Sequence, residues 1–373
     1  MIPKRPALDA LTSLRFFAAL AIVIHHCNGV FWRAANLGPL DAGVSFFFVL
    51  SGFILTYVYY APSAEQFSWQ DFYIARLARI WPLHLLCLLL TIVLVNLPEP
   101  FDPTVLLANG LMLHAWMPFD RYFFSYNYPS WSISTELFFY LMFPLMLRCS
   151  QALRYTLLAL SLASVLALAV IGAALHLPVW DTAGDHLSST GLLYTNPLAR
   201  CGEFLLGVIG GIYFLRGRSE VVASTVRWTL VEILAIVFFG VAFRFFLLRD
   251  AQVPNLFGST DKQSVSLLSE WFSHVALAPF AAVLIFVFAY QRGVASQLLT
   301  HRGFVLLGEI SFALYLVHQL TLRALQQHGV RPDIVGFGGY LIAIIVLATL
   351  LHFGFEQPVR RWLTRRNSVR RQS

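Results

Sequence analysis

Residues 11–31 read LTSLRFFAALAIVIHHCNGVF, and this stretch decides how the chain is understood. Twenty-one mostly apolar residues match the length an α-helix needs to cross a bilayer core of about 30 Å. Yet the run contains Arg15, His25 and His26. Ionisable groups inside a membrane span are costly, face the bundle interior, and usually mark a functional site. Arg15 and His26 are eleven residues apart. At about 100° per residue that is close to three turns, so the two share one helix face about 16 Å apart along the axis. An anion held at Arg15 would present a group at that distance to the His26 imidazole. His25 is turned by about 100° from His26, towards another helix or the lipid headgroups.

The remainder of the chain supports a membrane reading. Of 373 residues 58% are hydrophobic and only 12% charged, whereas soluble domains carry about 25% charged residues. Apolar runs recur near 10–31, 43–60, 80–97, 132–147, 155–176, 197–215, 228–248, 271–290, 304–325 and 339–356. The expected fold is an all-α integral membrane protein of about ten transmembrane helices. The alternating ten-residue pattern of a membrane barrel is missing. The first run is long, contains Arg15 and lacks a small-residue cleavage site, so it reads as a retained helix rather than a signal peptide.

Charge sets the orientation. Arg76 and Arg79, Arg148 and Arg154, Arg216 and Arg227, Arg292 and Arg302, and the tail RRWLTRRNSVRR all fall on one side when ten spans are drawn. The opposite loops carry acids such as Asp181 and Asp185. Both termini are therefore expected in the cytoplasm. Segment 104–117 is too short to span and is expected to re-enter or lie at the outer interface. Residues 1–373 read as one membrane domain, with a basic cytoplasmic tail at 357–373 suited to anionic lipid. The net charge of +7 is explained by this topology, so nucleic acid is not an expected partner. Cys27, Cys87, Cys149 and Cys201 lack paired spacing and read as small buried hydrophobes, not as a disulfide frame or metal ligands.

Several helices carry polar groups at similar depth. Ser132 and Glu136 are spaced i, i+4; Arg200 and Glu203 i, i+3; Ser311, Tyr315 and His318 form one stripe. Each has an ordinary explanation: a helix cap for Ser132, an orienting ion pair for Arg200–Glu203, interhelical hydrogen bonding for the stripe. Glu356 reads as a structural pair with Arg360 and Arg361. Arg76 and Arg79, at the start of the third span, suit a phosphate or pyrophosphate clamp as well as they suit membrane anchoring. With Arg15 they place three guanidinium groups towards the inner side. Intramembrane His, Glu and Arg also suit a proton-coupled transporter, but no internal repeat is visible.

The ordered set is distinctive. It comprises Arg15-x10-His26, FFFVLSGFILT around Ser51-Gly52-Phe53, Arg76-x-x-Arg79 and Trp131-Ser132-x-x-x-Glu136. Arg200-x-x-Glu203-Phe204-x-x-Gly207, Ser311-x-x-x-Tyr315-x-x-His318 and Phe355-Glu356-x-Pro358 complete it. Together these resemble the acyltransferase family 3 membrane proteins, which include O-antigen and exopolysaccharide O-acetyltransferases. Ser45 stands where many members have Asp, though Ser is also seen there. The resemblance implies an inner-membrane bacterial enzyme that moves an acyl group, usually acetyl from acetyl-CoA, to a sugar hydroxyl. It also implies that Arg15, His26, Arg76 and Arg79 match functionally important positions, and that the chain is the stand-alone form without an added hydrolase-like domain.

On this reading acyl-CoA is a co-substrate rather than a bound cofactor, and no metal is expected. Its phosphates dock on Arg15, Arg76 and Arg79, and its thioester is carried towards His26. His26 serves as general base on the acceptor hydroxyl or takes the acyl group itself. Glu136 is a second candidate catalytic group, able to orient His26. His25, Ser132, Arg200, Glu203, Tyr315 and His318 support the acceptor side, where a carbohydrate or glycolipid arrives.

Overall fold

Helix ends follow their caps. In a computed structural model, which describes residues 5–60, 67–95, 101–181, 184–217, 224–250, 275–329 and 331–370, the third apolar run begins well before the expected residue 80. Ser68 Oγ accepts from the Asp71 backbone N–H and starts the helix at Trp69. Arg76 and Arg79 therefore sit about two turns inside it rather than at its first turn. The described residues are helical throughout apart from loops and two isolated bridges.

The helices used below are α1 (Asp9–Cys27), α2 (Gly43–Tyr59), α3 (Trp69–Leu94), α4 (Pro103–Gly110), α5 (Trp131–Arg148) and α6 (Gln151–Ala174). They continue with α7 (Cys201–Gly217), α8 (Thr225–Asp250), α9 (Ala278–Phe288), α10 (Arg302–Gln327), α11 (Ile334–Leu351) and α12 (Gln357–Arg370). Seven helices among the described residues are long and apolar enough to cross a membrane. They are α1, α2, α3, α6, α8, α10 and the continuous helix from α11 into α12. Three further apolar segments of the sequence, at α5, α7 and α9, are also helical. Residues 357–370 of the basic tail are helical, and a π-helical turn at His352–Glu356 joins α11 to α12. Residues 271–274 of the expected eighth run lie outside the described residues.

Segment 104–117 forms α4, capped by Asp102 accepting from Thr104 N–H at 2.7 Å, and then a short 3-10 turn at His114–Trp116. Eight helical residues rise only about 12 Å, less than half a bilayer core.

Burial separates centre from periphery. The spanning windows of α2 and α10 are 67% buried, against 17% for α6 and 22% for α8. The two central helices approach their neighbours through glycine. A Cβ on Gly52 would strike the Phe204 carbonyl, and one on Gly207 would strike the Val49 carbonyl, so α2 and α7 touch backbone to backbone. A Cβ on Gly308 would likewise meet the Thr12 carbonyl, seating α10 against α1. Thr12 lies by Gly308 at one end and His26 by His318 at the other. The two helices therefore run in the same direction, each carrying one histidine to the same end of the bundle.

Candidate active site

Two cavities open within the bundle and share a wall. The first, of ≈ 280 Å³, collects Arg15 from α1, Ser51 from α2, Arg76 and Arg79 from α3, and Glu136 and Tyr140 from α5. Glu136 Oε1 accepts from Tyr140 Oη at 2.5 Å and from Ser51 Oγ at 3.1 Å. The arginines are held by rings rather than acids. Arg76 lies over Tyr59 and Tyr140, with centroids at 5.6 and 6.0 Å, and Arg79 lies over Phe312 at 5.9 Å. Among the described residues no carboxylate forms an ion pair with Arg15, Arg76 or Arg79. Three guanidiniums facing one hydroxyl-bound carboxylate make an electropositive cradle whose forked donors suit phosphate oxygens.

The second cavity, of ≈ 320 Å³, holds His25, His26 and Asp41 among aromatic side chains. Its hydrogen bonds assign the imidazole tautomers. His318 Nδ1 lies 2.6 Å from the Tyr315 carbonyl and must donate to it, leaving Nε2 as an acceptor. That Nε2 is 3.1 Å from His26 Nδ1, which also lies 3.0 Å from the Ile22 carbonyl. Facing two acceptors, His26 Nδ1 carries the proton. The lone pair of neutral His26 is then on Nε2, to which no described residue hydrogen-bonds. His318 is wholly buried, and Tyr340 Oη donates to its carbonyl at 3.0 Å.

Val44 and Tyr315 line both cavities. Tyr315 Oη lies 2.8 Å from Ser132 Oγ and 3.0 Å from the Pro129 carbonyl, which Ser132 Oγ also reaches at 2.9 Å. Arg15 and His26, expected on one helix face, thus line adjoining chambers separated by a hydroxyl-pinned ring.

A family model described as an acyltransferase domain (Acyl_transf_3) matches residues 8–353. The chain belongs to acyltransferase family 3. It is similar to the acyltransferase MdmB of Streptomyces mycarofaciens, at 28% identity over 99% of this chain and 96% of that protein. It is also similar to the putative peptidoglycan O-acetyltransferase YrhL of Bacillus subtilis, at 26% identity over 95% of this chain. The O-acetyltransferase OatA of Staphylococcus aureus is 24% identical over the same share. The chain spans 55% and 57% of the length of the latter two. No solved structure matches. Membership and the apolar helices together make this an integral membrane acyltransferase.

The other residues singled out in this family 3 member divide between site and scaffold. Tyr315 is part of the shared wall, and Ser132, which lines the first cavity, holds its hydroxyl. His25 is exposed and meets His26 edge to face at 5.2 Å. Glu136 lies with the arginines, and the group that hydrogen-bonds His26 is His318. Arg200 and Glu203 form a buried pair at 3.2 Å, bridged by Ser45, which accepts from Arg200 Nη2 and donates to Glu203 Oε1, both at 3.1 Å. The guanidinium packs between Phe48, Trp131 and Tyr194, so the pair ties α2, α5 and α7 together behind the cavities. Ser311 Oγ donates to the Gly308 carbonyl at 2.7 Å within its own helix. Glu356 pairs with His352 at 2.8 Å, whereas Arg361 bonds Gln357. In place of the expected pairing with Arg360 and Arg361, Glu356 meets His352, four residues earlier on the same helix face.

The four cysteines are unpaired. Among the described residues no group of three or more His, Cys, Asp or Glu is placed to hold a metal ion. Three features escape a reading of the sequence. Asp41 lines the second cavity. Glu232, buried on α8, accepts from Gly293 N–H at 2.9 Å and from Ser296, capping the helix Val294–Leu299. The third is the aromatic wall of the second cavity, whose only signal is the density of rings in RYFFSYNYPSW, residues 121–131.

Proposed function

We propose that this protein is a membrane-embedded O-acyltransferase that takes an acyl group, most simply acetyl, from cytoplasmic acyl-CoA and places it on a sugar hydroxyl of a cell-surface or secreted glycan. The adjoining cavities carry the proposal: one is lined by three guanidiniums without carboxylate partners, the other by an imidazole with a free Nε2, and they share one wall. All ten apolar segments would cross the bacterial inner membrane with both termini in the cytoplasm, which opens the arginine chamber to the cytoplasm. Arg15, Arg76 and Arg79 bind the phosphates of acyl-CoA, and the pantetheine arm reaches the shared wall within the span of about 16 Å along α1 that separates Arg15 from His26. The acceptor hydroxyl enters the second chamber from the opposite side.

His26 Nε2 removes the hydroxyl proton as the oxygen attacks the thioester carbonyl. The C–S bond breaks as the ester bond forms, and the CoA thiolate recovers the proton from the imidazolium. The imidazolium formed in between is stabilised through Nδ1–H by Ile22 O and His318 Nε2.

The test uses purified protein, radiolabelled acetyl-CoA and a glycan acceptor. His26→Ala is expected to abolish label transfer while leaving acetyl-CoA affinity intact, and Arg79→Gln to weaken that affinity about tenfold or more. Full transfer by the His26 variant refutes the base assignment. Uptake of label into vesicles without transfer replaces the enzyme reading with a transporter.

A further inference from the structure

Between α6 and the π-helical turn Thr190–Tyr194, the described residues 175–181 and 184–189 are fastened to Asp120 and Arg121. Asp120 accepts from Ser188 Oγ at 2.7 Å and from the Asp181 N–H at 3.3 Å, and Arg121 pairs with Asp185 at 2.9 Å. Gly184, at φ +79° and with the Arg121 main chain against it, allows the close approach. Burial raises the Asp120 carboxyl above its ordinary pKa, while its Ser188 bond works against that rise. The loop thereby brings Trp180 onto Phe124, with ring centroids 5.4 Å apart and planes inclined by 23°. Phe124 in turn lies 6.0 Å from Tyr128. All three rings line the chamber that contains His26, and Trp180 remains 52% exposed at its edge.

We propose that Trp180, Phe124 and Tyr128 form the acceptor subsite, a stacking shelf for the apolar face of a single pyranose ring; this inference rests on the O-acyltransferase reading above. A pyranose presents a face of polarised C–H bonds and an edge of hydroxyls. The negative face of an aromatic ring attracts the first, and His25 and Asp41 are polar partners for the second. A chamber of ≈ 320 Å³ is at the small end of ligand pockets, which run from about 300 to 1,000 Å³. It admits one ring, while the rest of the acceptor leaves past the exposed edge of Trp180. The shelf holds the ring and leaves a hydroxyl for His26 Nε2. Acceptor choice is thus set by a loop distant from the donor's arginines.

Transfer from radiolabelled acetyl-CoA is measured with purified protein and two kinds of acceptor: a panel of p-nitrophenyl pyranosides, and sorbitol as an acyclic polyol. Trp180→Ala is expected to raise the KM for the pyranosides about fivefold to tenfold, leaving the acetyl-CoA KM and any transfer to sorbitol unchanged. Trp180→Phe is expected to return the pyranoside KM to within about threefold of wild type. A pyranoside KM unmoved in Trp180→Ala, or a change confined to the acetyl-CoA KM, overturns the shelf and leaves the acyltransferase reading standing. Failure of the wild-type protein to acetylate any pyranoside overturns both. A thermal melt of each variant separates loss of the subsite from loss of the fold.

Discussion

Replacing His318 with phenylalanine tests the link between the two imidazoles. His318 is fully buried and its Nε2 stands 3.1 Å from His26 Nδ1. Phenylalanine keeps a planar ring and removes the acceptor, together with the Nδ1–H that reaches the Tyr315 carbonyl. Hydrogen bonds to charged groups contribute about 1.5–3 kcal/mol, and the contact gains that charged character only while His26 carries the acceptor's proton. The loss therefore falls on the transition state. The Ile22 carbonyl at 3.0 Å still accepts from Nδ1–H, so the cost lies near the lower end, about 1.5–2 kcal/mol. At about 1.4 kcal/mol per decade, kcat should fall about 10- to 30-fold with the acyl-CoA KM unchanged. Initial rates of label transfer at saturating donor and acceptor measure this, with size-exclusion profiles as the folding control. His318→Gln, which can return an acceptor oxygen, should recover part of the rate. A kcat for His318→Phe within twofold of wild type, or a defect confined to the donor KM, would refute the pairing argument.

Two further outcomes follow from the same geometry. Glu136→Gln retains an oxygen for Ser51 and Tyr140 but removes the carboxylate that lines the first cavity, so the acyl-CoA KM should fall with kcat within about threefold; loss of turnover would instead place Glu136 in the chemistry. Gly207→Ala puts a methyl against the Val49 carbonyl and should destabilise the fold by about 1–3 kcal/mol, seen as a lower thermal midpoint in detergent, whereas an unchanged midpoint would deny the close α2–α7 contact.

Helical periodicity alone makes much of this site legible. Arg15 and His26 line adjoining chambers along α1 because an i+11 spacing puts them on one face, and Arg76 and Arg79 share theirs through an i, i+3 spacing. What periodicity cannot give is the neighbour across the interface. The stripe of Ser311, Tyr315 and His318 is visible in the sequence, but its pairing with His26 depends on Gly308 letting α10 reach the Thr12 main chain. Without that crossing, sequence reasoning offers Glu136 as a group able to orient His26; in the structure Ser51 bonds it among the arginines, next to the α2–α7 contact at Gly52 and Gly207. The start of α3 escapes hydropathy because Ser68 lies in a polar stretch. The acceptor-side rings escape it for a similar reason: they belong to loops whose fold depends on Asp120 and Gly184 rather than on any period.

The shared wall is where the proposed chemistry must take place. A thioester entering from the arginine side and a hydroxyl entering from the histidine side meet only past Tyr315 and Val44. Tyr315, Ser132 and the Pro129 carbonyl have two hydroxyl protons for three short contacts. The protons can therefore run from Ser132 through Tyr315 to the carbonyl, or from Tyr315 through Ser132, and one contact is always without a proton. A wall with an unused acceptor can turn towards an incoming polar group without first breaking a saturated network. Tyr315 is also fixed to the base, since its own carbonyl receives the His318 Nδ1 proton. Rotating that segment of α10 to widen the passage would disturb the partner of His26 as well. Tyr315 and His318, one turn apart on α10, thus link the passage between the chambers to the partner of the base.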